Sequence, residues 1–164
     1  MKFRKMMGVT APFLCAALAL SGCGSTDETA YRIGIVQQDE HSSLDAATQG
    51  FEDKLMELLG EENVTFDYQN AQGEQANCTT IATKFVSDGC DLILANGTTA
   101  LQSAAAATAD IPIVGTSVTD YIAAGAVNSN EKPGTNVTGV SDLGEIKAQV
   151  DVLLTFCQPD TKIA

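Results

Sequence analysis

Short apolar runs alternate with longer amphipathic stretches from Tyr31 onward, and this alternation limits the fold more than any other feature of the chain. Tyr31–Val36, Val64–Tyr68, Asp91–Ala95, Ile111–Gly115 and Val137–Val140 read as buried strands, because they are short, apolar and bounded by turn residues. Helical patterns lie between them. From Leu44 to Leu59 the residues Leu44, Ala47, Phe51, Leu55 and Leu58 fall on one face, and Gly60 stands where a helix ends. Gln75–Ser87 turns Ile81 and Phe85 inward, with Gly89 beyond its end. Thr98–Thr108 is alanine-rich, which favours a helix and lets it pack closely on a sheet. Asp120–Val127 reads as a short helix. Leu143–Phe156 reads as a longer one, with Asp142 and Glu145 spaced as a capping box and Pro159 beyond. Apolar strands joined by helices imply a parallel sheet covered on both faces. The expected fold class is therefore α/β, a doubly wound lobe with right-handed crossovers.

The residues before Tyr31 follow a different pattern. Lys2, Arg4 and Lys5 open the chain, Phe13–Leu20 is apolar, and Leu20-Ser21-Gly22-Cys23 closes the run. A positive start, a short apolar centre and small residues before a cut form an export signal, since a spanning helix needs ~20 apolar residues. The cysteine at the cut makes the segment a lipobox. Residues 1–22 are thus expected to be a lipoprotein signal peptide and Cys23 the lipidated residue. Residues 23–30 would be a tether at the outer face of a bacterial cytoplasmic membrane or on its periplasmic side. An ordinary secretory signal with a chance cysteine is the alternative.

Charge narrows the partners. The sequence holds 9 Lys+Arg and 21 Asp+Glu. Without the three signal-peptide cations, six basic residues face the 21 acids, a formal charge of −15. Such a surface repels phosphate backbones, which argues against nucleic acid, and disfavours anionic headgroups, so the lipid itself would hold the membrane. Cys78 and Cys90 flank a helix that holds them beyond disulfide reach, and they read as buried free thiols. Their spacing fits no zinc pattern, His41 is the lone histidine, and no metal or cofactor is implied. Glycine-rich phosphate loops and nucleophile elbows are absent from the sequence. His41 beside Asp39, Glu40 and Ser42 does not make a triad by adjacency, so the chain is not expected to be an enzyme.

In an open α/β sheet, ligands bind outside the carboxyl ends of the strands. The loops there carry Gln37–Ser43, Asn96–Thr99, Thr116–Asp120 and Ser141–Asp142. Helix-start N–H groups beside Thr and Ser hydroxyls suit a carboxylate, and Asp120 or Glu40 suits an ammonium. A zwitterion such as an amino acid fits that set. The candidates are Thr98, Ser117, Thr119 and Asp120, with Glu40 and Ser141 behind them. The same residue types are also favoured helix caps, and that reading stays open for each.

Ordered segments carry a family resemblance. They include Arg32-Ile33-Gly34-Ile35-Val36-Gln37, Glu40-His41, Gly50-Phe51, Asp67-Tyr68-Gln69-Asn70-Ala71-Gln72-Gly73, Ile111-Pro112-Ile113-Val114, Val118-Thr119-Asp120 and Asn136-Val137-Thr138-Gly139-Val140-Ser141-Asp142. From Tyr31 on, the chain resembles the periplasmic-binding-protein-like family of ABC importers that includes tryptophan-type substrate-binding lipoproteins. The resemblance implies a type I lobe and a second lobe reached by crossing strands. It also implies hinge closure on a small ligand, with aromatic amino acids the associated class, and delivery to an ABC permease. It would make residues 31–140 the N-terminal lobe and residues 141–164 the hinge crossing and the start of a second lobe, with most of that lobe missing. Ser43, Tyr121 and the pair Asn96-Gly97 depart from the family's pattern at the presumed cleft, which bears on ligand identity more than on fold. A non-binding product of a truncated gene, a sensory ligand-binding lipoprotein and an envelope enzyme on a similar sheet are the rival readings.

Overall fold

All five apolar runs form strands, and every strand pairs parallel to its neighbours. The computed structural model describes residues 30–156. The lipobox with Cys23, most of the tether, and the tail holding Cys157 and Pro159 lie outside the described residues. The elements run β1 (Tyr31–Gln37), α1 (Ser42–Leu59), a 3-10 turn (Glu61–Asn63), β2 (Val64–Asn70), α2 (Gln75–Ser87) and β3 (Leu92–Asn96). They continue with α3 (Thr98–Ala107), β4 (Ile113–Val118), β5 (Val137–Ser141) and α4 (Ile146–Phe156). The strand order is β2-β1-β3-β4-β5. The chain steps outward from β1 to β2, then returns past β1 to β3 and builds the other way. That reversal separates the loops after β1 and β3 and sets a crevice at the carboxyl edge.

Each strand buries alternate residues in one of two apolar layers. Ile33, Ile35, Val64 and Leu94 pack beneath Phe51 and Leu55 of α1. Val36, Ile93, Ala95 and Ile113 pack beneath Cys78, Ala82 and Phe85 of α2 and Ala100, Leu101 and Ala104 of α3. The alanines of α3 allow the close approach that the sequence suggested. Cys78 and Cys90 are free thiols inside this second layer, and burial raises both above the ordinary thiol range.

Several boundaries differ from expectation. Leu58 is 65% exposed rather than inward. An 18-residue helix is ~27 Å long and a seven-residue strand ~23 Å, so the last turn of α1 overhangs the sheet. Strand β4 starts at Ile113, because Pro112 has no N–H and the Ile111 N–H is taken by the Thr108 hydroxyl. Asp120–Val127 is a set of turns, not a helix. Asp120 C=O accepts from Ala124 and Tyr121 C=O from Ala126, and the left-handed Gly125 stops propagation after one turn. Helix α4 begins at Ile146 rather than Leu143, and the expected capping box does not form. The Asp142 N–H is drawn to Val118 C=O, and the Ser141 hydroxyl accepts from Leu143 N–H. Finally, α4 has no buried residue, and Phe156 is 82% exposed.

Candidate functional site

The carboxyl edge begins inside the sheet, with two polar residues ending apolar strands. Gln37 and Asn96 are both fully buried, in register with each other on β1 and β3. Buried amides need partners, and α1 supplies them through Thr48. Asn96 Nδ2 donates to Thr48 Oγ1 at 3.0 Å and to Leu44 C=O at 2.8 Å. Thr48 Oγ1 then donates to Gln37 Oε1 at 2.8 Å. Gln37 Nε2 donates onward to Asp45 Oδ1 at 2.7 Å and Asp39 C=O at 2.9 Å. The donors therefore run one way, from Asn96 to the Asp45 carboxylate. Among the buried side-chain nitrogens and oxygens of the described residues, Asn96 Oδ1 alone lacks a partner. Sequence reasoning treated Gln37 and Asn96 as loop residues; a polar residue ending an apolar run was the signal available for their buried role.

Above this relay the loops after β1 and β3 face each other at the carboxyl edge, where the strand order reverses. Gln38 bridges them: its N–H donates to Asn96 C=O at 2.9 Å, and its Oε1 accepts the Thr99 N–H at 2.9 Å. A side chain from β1 thus covers part of the amino end of α3. Gly97 makes this possible. Its φ is 110°, and a Cβ there would lie 2.7 Å from Gln38. Sequence reasoning passed over Gln38. His41 accepts from Ser43 N–H through Nδ1 at 3.2 Å and is the cap of α1, which gives it a structural role.

The candidates fall along one edge because all five strands point the same way. Thr98 opens α3 and is exposed. Ser117 is half-buried in the left-handed region at φ 55°, where β4 and β5 lose register between Gly115 and Val118. Thr119 and Asp120 are exposed just beyond. Thr119 C=O accepts the Ser141 hydroxyl at 2.7 Å, which brings β4 and β5 candidates together. Asp120 Oδ1 accepts from Ile122 and Ala123 N–H, both at 2.9 Å, so one carboxylate oxygen is already a cap. Glu40 stands apart, in the loop after β1; its N–H bonds Asp39 and its side chain is exposed.

Tyr121 is anchored in the lobe rather than projecting from it. It is 6% exposed and packs on β4 and β5. A Cβ on Gly115 would lie 2.6 Å from the Tyr121 hydroxyl, and one on Gly139 would overlap both that hydroxyl and the Gly115 carbonyl. The two glycines make the slot that the ring fills. The hydroxyl donates to Val140 C=O at 2.9 Å. Burial is the main cause that holds its pKa above the ordinary phenol value, so it stays a donor at neutral pH. The ring also forms one wall of a groove beside β5, lined by Ser129, Asn130, Pro133, Thr138 and Ser141.

The opposite edge is an electrostatic staple. Lys84 bridges Asp67 and Asp88, and Arg32 donates to Asp88 C=O at 2.6 Å. Hydrogen bonds from Gln69 and then Lys84 hold the Asp67 carboxyl below its ordinary range. Among the described residues no group of His, Cys, Asp and Glu could hold a metal ion, and no helix is long and apolar enough to cross a membrane.

The chain has relatives among known proteins in both sequence and fold. The family described as ABC transporter substrate binding protein matches residues 32–163. A tyrosine-binding protein of Clostridioides difficile (strain R20291) is 38% identical, over 99% of this chain and 51% of its own length. This chain therefore spans about half the length of the curated relative it matches. A ligand-free, open substrate-binding protein with adhesive properties from Clostridium difficile superposes with a TM-score of 0.73 at 44% identity, over 77% of this chain and 44% of its own. A Streptococcus pneumoniae ABC domain in complex with L-Trp gives 0.72 at 37% identity, over 76% and 42%. With a matching family over most of its length and the matching parallel sheet, the chain belongs to the ABC transporter substrate binding protein family.

Proposed function

We propose that this chain is the ligand-binding lobe of an exported lipoprotein that captures an aromatic amino acid and presents it to an ABC permease. One observation carries the reading: hydroxyls, a helix amino end and two carboxylates all lie along the carboxyl edge of a parallel sheet. Thr98, Ser117 and Thr119 would receive the ligand carboxylate, helped by the amino end of α3. Glu40 and Asp120 would receive the ammonium. Ser141 would shape the floor where β5 leaves the lobe. Relatives with tyrosine and L-Trp in their names support the ligand class. The mechanism would be hinge closure of a second lobe, with α4 as its first helix, and no bond made or broken. The open apolar face of α4 and the exposed Val140 support a larger body around this lobe. Cys23 would carry the lipid, with residues 23–30 as leash.

Calorimetry of the intact protein against L-Tyr, L-Trp, L-Phe and the other common amino acids tests the reading. Saturable heat from an aromatic amino acid is expected, and no heat from any amino acid would reject the ligand class. Export is tested separately: Cys23→Ala should release the protein from membranes, and retention would reject the anchor.

A further inference from the structure

Three separate bonds tie the loop after β4 to the place where β5 leaves the lobe. The Tyr121 hydroxyl donates to Val140 C=O at 2.9 Å, the Ser141 hydroxyl to Thr119 C=O at 2.7 Å, and the Asp142 N–H to Val118 C=O at 3.2 Å. The loop end is anchored too, since Asp120 caps the turn that carries Tyr121. Ser117 sits in the left-handed region at φ 55°, which is disfavoured for an L-residue. The ties around it oppose its relaxation. Gly115 and Gly139 leave a slot only for an unobstructed ring, so Tyr121 has one seat.

We propose that Tyr121 is a positioning residue that locks the candidate ligand loop, residues 116–120, to the exit of β5, so that the two move as one unit. The consequence rests on the hinge reading above. Ligand drawn onto Ser117 and Thr119 would displace Val140–Leu143, the segment that leads out of the lobe, and the hinge would feel occupancy directly. The chemistry of the coupling is a phenol-to-carbonyl hydrogen bond at the carboxyl end of an edge strand. Losing it frees the strand end without emptying the ring's seat.

Tyr121→Phe keeps the ring and removes the bond. Two measurements on the intact protein then separate the alternatives. In amide hydrogen exchange without ligand, Asp142 and Leu143 should lose protection together with Val118, by about five- to tenfold, the loss expected for one buried hydrogen bond. Amides of β1 and β3 should change little. Loss confined to one side of the clamp, uniform loss across the sheet, or no loss overturns the coupling. If Tyr121→Phe does not fold, Ser141→Ala cuts a second tie and must give the same paired pattern. In the second arm, L-Tyr and L-Trp are the probes. Tyr121→Phe should dissociate them several-fold faster, and a lower melting temperature with unchanged dissociation overturns the positioning role. A wild-type protein that binds neither probe rejects the functional reading, while the exchange arm still decides the clamp.

Discussion

Replacing Thr48 by Val tests whether the buried relay, rather than apolar packing alone, holds α1 to the sheet. Val matches Thr in shape, so packing is kept and only the hydroxyl is lost. That hydroxyl accepts from Asn96 at 3.0 Å and donates to Gln37 at 2.8 Å, and both partners are fully buried. Without it, Asn96 Nδ2 keeps Leu44 C=O, but Gln37 Oε1 keeps only Asn96 at 3.5 Å, a weak contact. An acceptor stranded in the interior costs about 1–3 kcal/mol, and a methyl in place of the hydroxyl returns at most ~0.8 kcal/mol. The net expectation is a loss of about 1–2 kcal/mol. A chain of this size then melts about 2–8 °C lower. Calorimetric or circular-dichroism melts of the full chain read this, with Thr48→Ser as the control that keeps the hydroxyl. Gln37→Met and the double variant complete a cycle, and their coupling energy should be about 1–2 kcal/mol. A Thr48→Val variant within ~0.5 kcal/mol of the parent, or a cycle with no coupling, would refute the relay as a source of stability.

Gly139→Ala should unfold the β4–β5 edge or cost more than about 3 kcal/mol, because the new Cβ meets the Gly115 backbone as well as Tyr121; a urea titration that shows a smaller loss counts against the slot. Gln38→Glu places a negative charge at the amino end of α3 and should stabilise the lobe by about 0.3–1 kcal/mol, yet weaken binding of an amino-acid carboxylate; unchanged affinity would remove this helix end from the ligand site. Acid titration reports on Asp67. Its folded pKa lies below the unfolded value, so the stability it contributes is present above ~pH 4 and is lost as pH falls through the lowered value. Lys84→Met should flatten that acid limb, and an identical limb in the variant would assign acid sensitivity elsewhere.

The fold was legible because its signals are local. Apolar runs marked the five strands, and the boundaries of α2 matched its amphipathic pattern and the Gly89 that follows its end. At two of the misplaced boundaries, a long-range partner had displaced a local one. Asp142 is spaced to cap α4, but its N–H is held by Val118 in the sheet and the helix starts three residues late. Asp120–Val127 has helical composition, but the Tyr121 ring seats between Gly115 and Gly139 and the turn ends at Gly125. Gln37, Thr48 and Asn96 look like unrelated polar residues until strand register and α1 bring them together.

The candidate site was legible only as an edge. Parallel strands place every following loop on one side, so listing those loops names the region without saying which side chains are free to act. The structure divides them. Asp120 spends one oxygen on a cap, Gln38 covers part of an amino end that looked open, and Tyr121 is anchored in the lobe. Glu40 and Thr98 remain exposed on loops held by neighbouring strands β1 and β3. An ammonium near Glu40 and a carboxylate near Thr98 would therefore lie across the crevice that the strand order creates. That arrangement predicts that Glu40→Gln weakens binding of an amino acid while leaving the melting temperature unchanged. Truncating a turn-capping residue such as Asp120 should lower both, since two backbone N–H groups lose their acceptor, and each net bond contributes about 0.5–1.5 kcal/mol. The contrast between the two variants separates ligand contacts from caps on an edge where the same residue types serve both purposes.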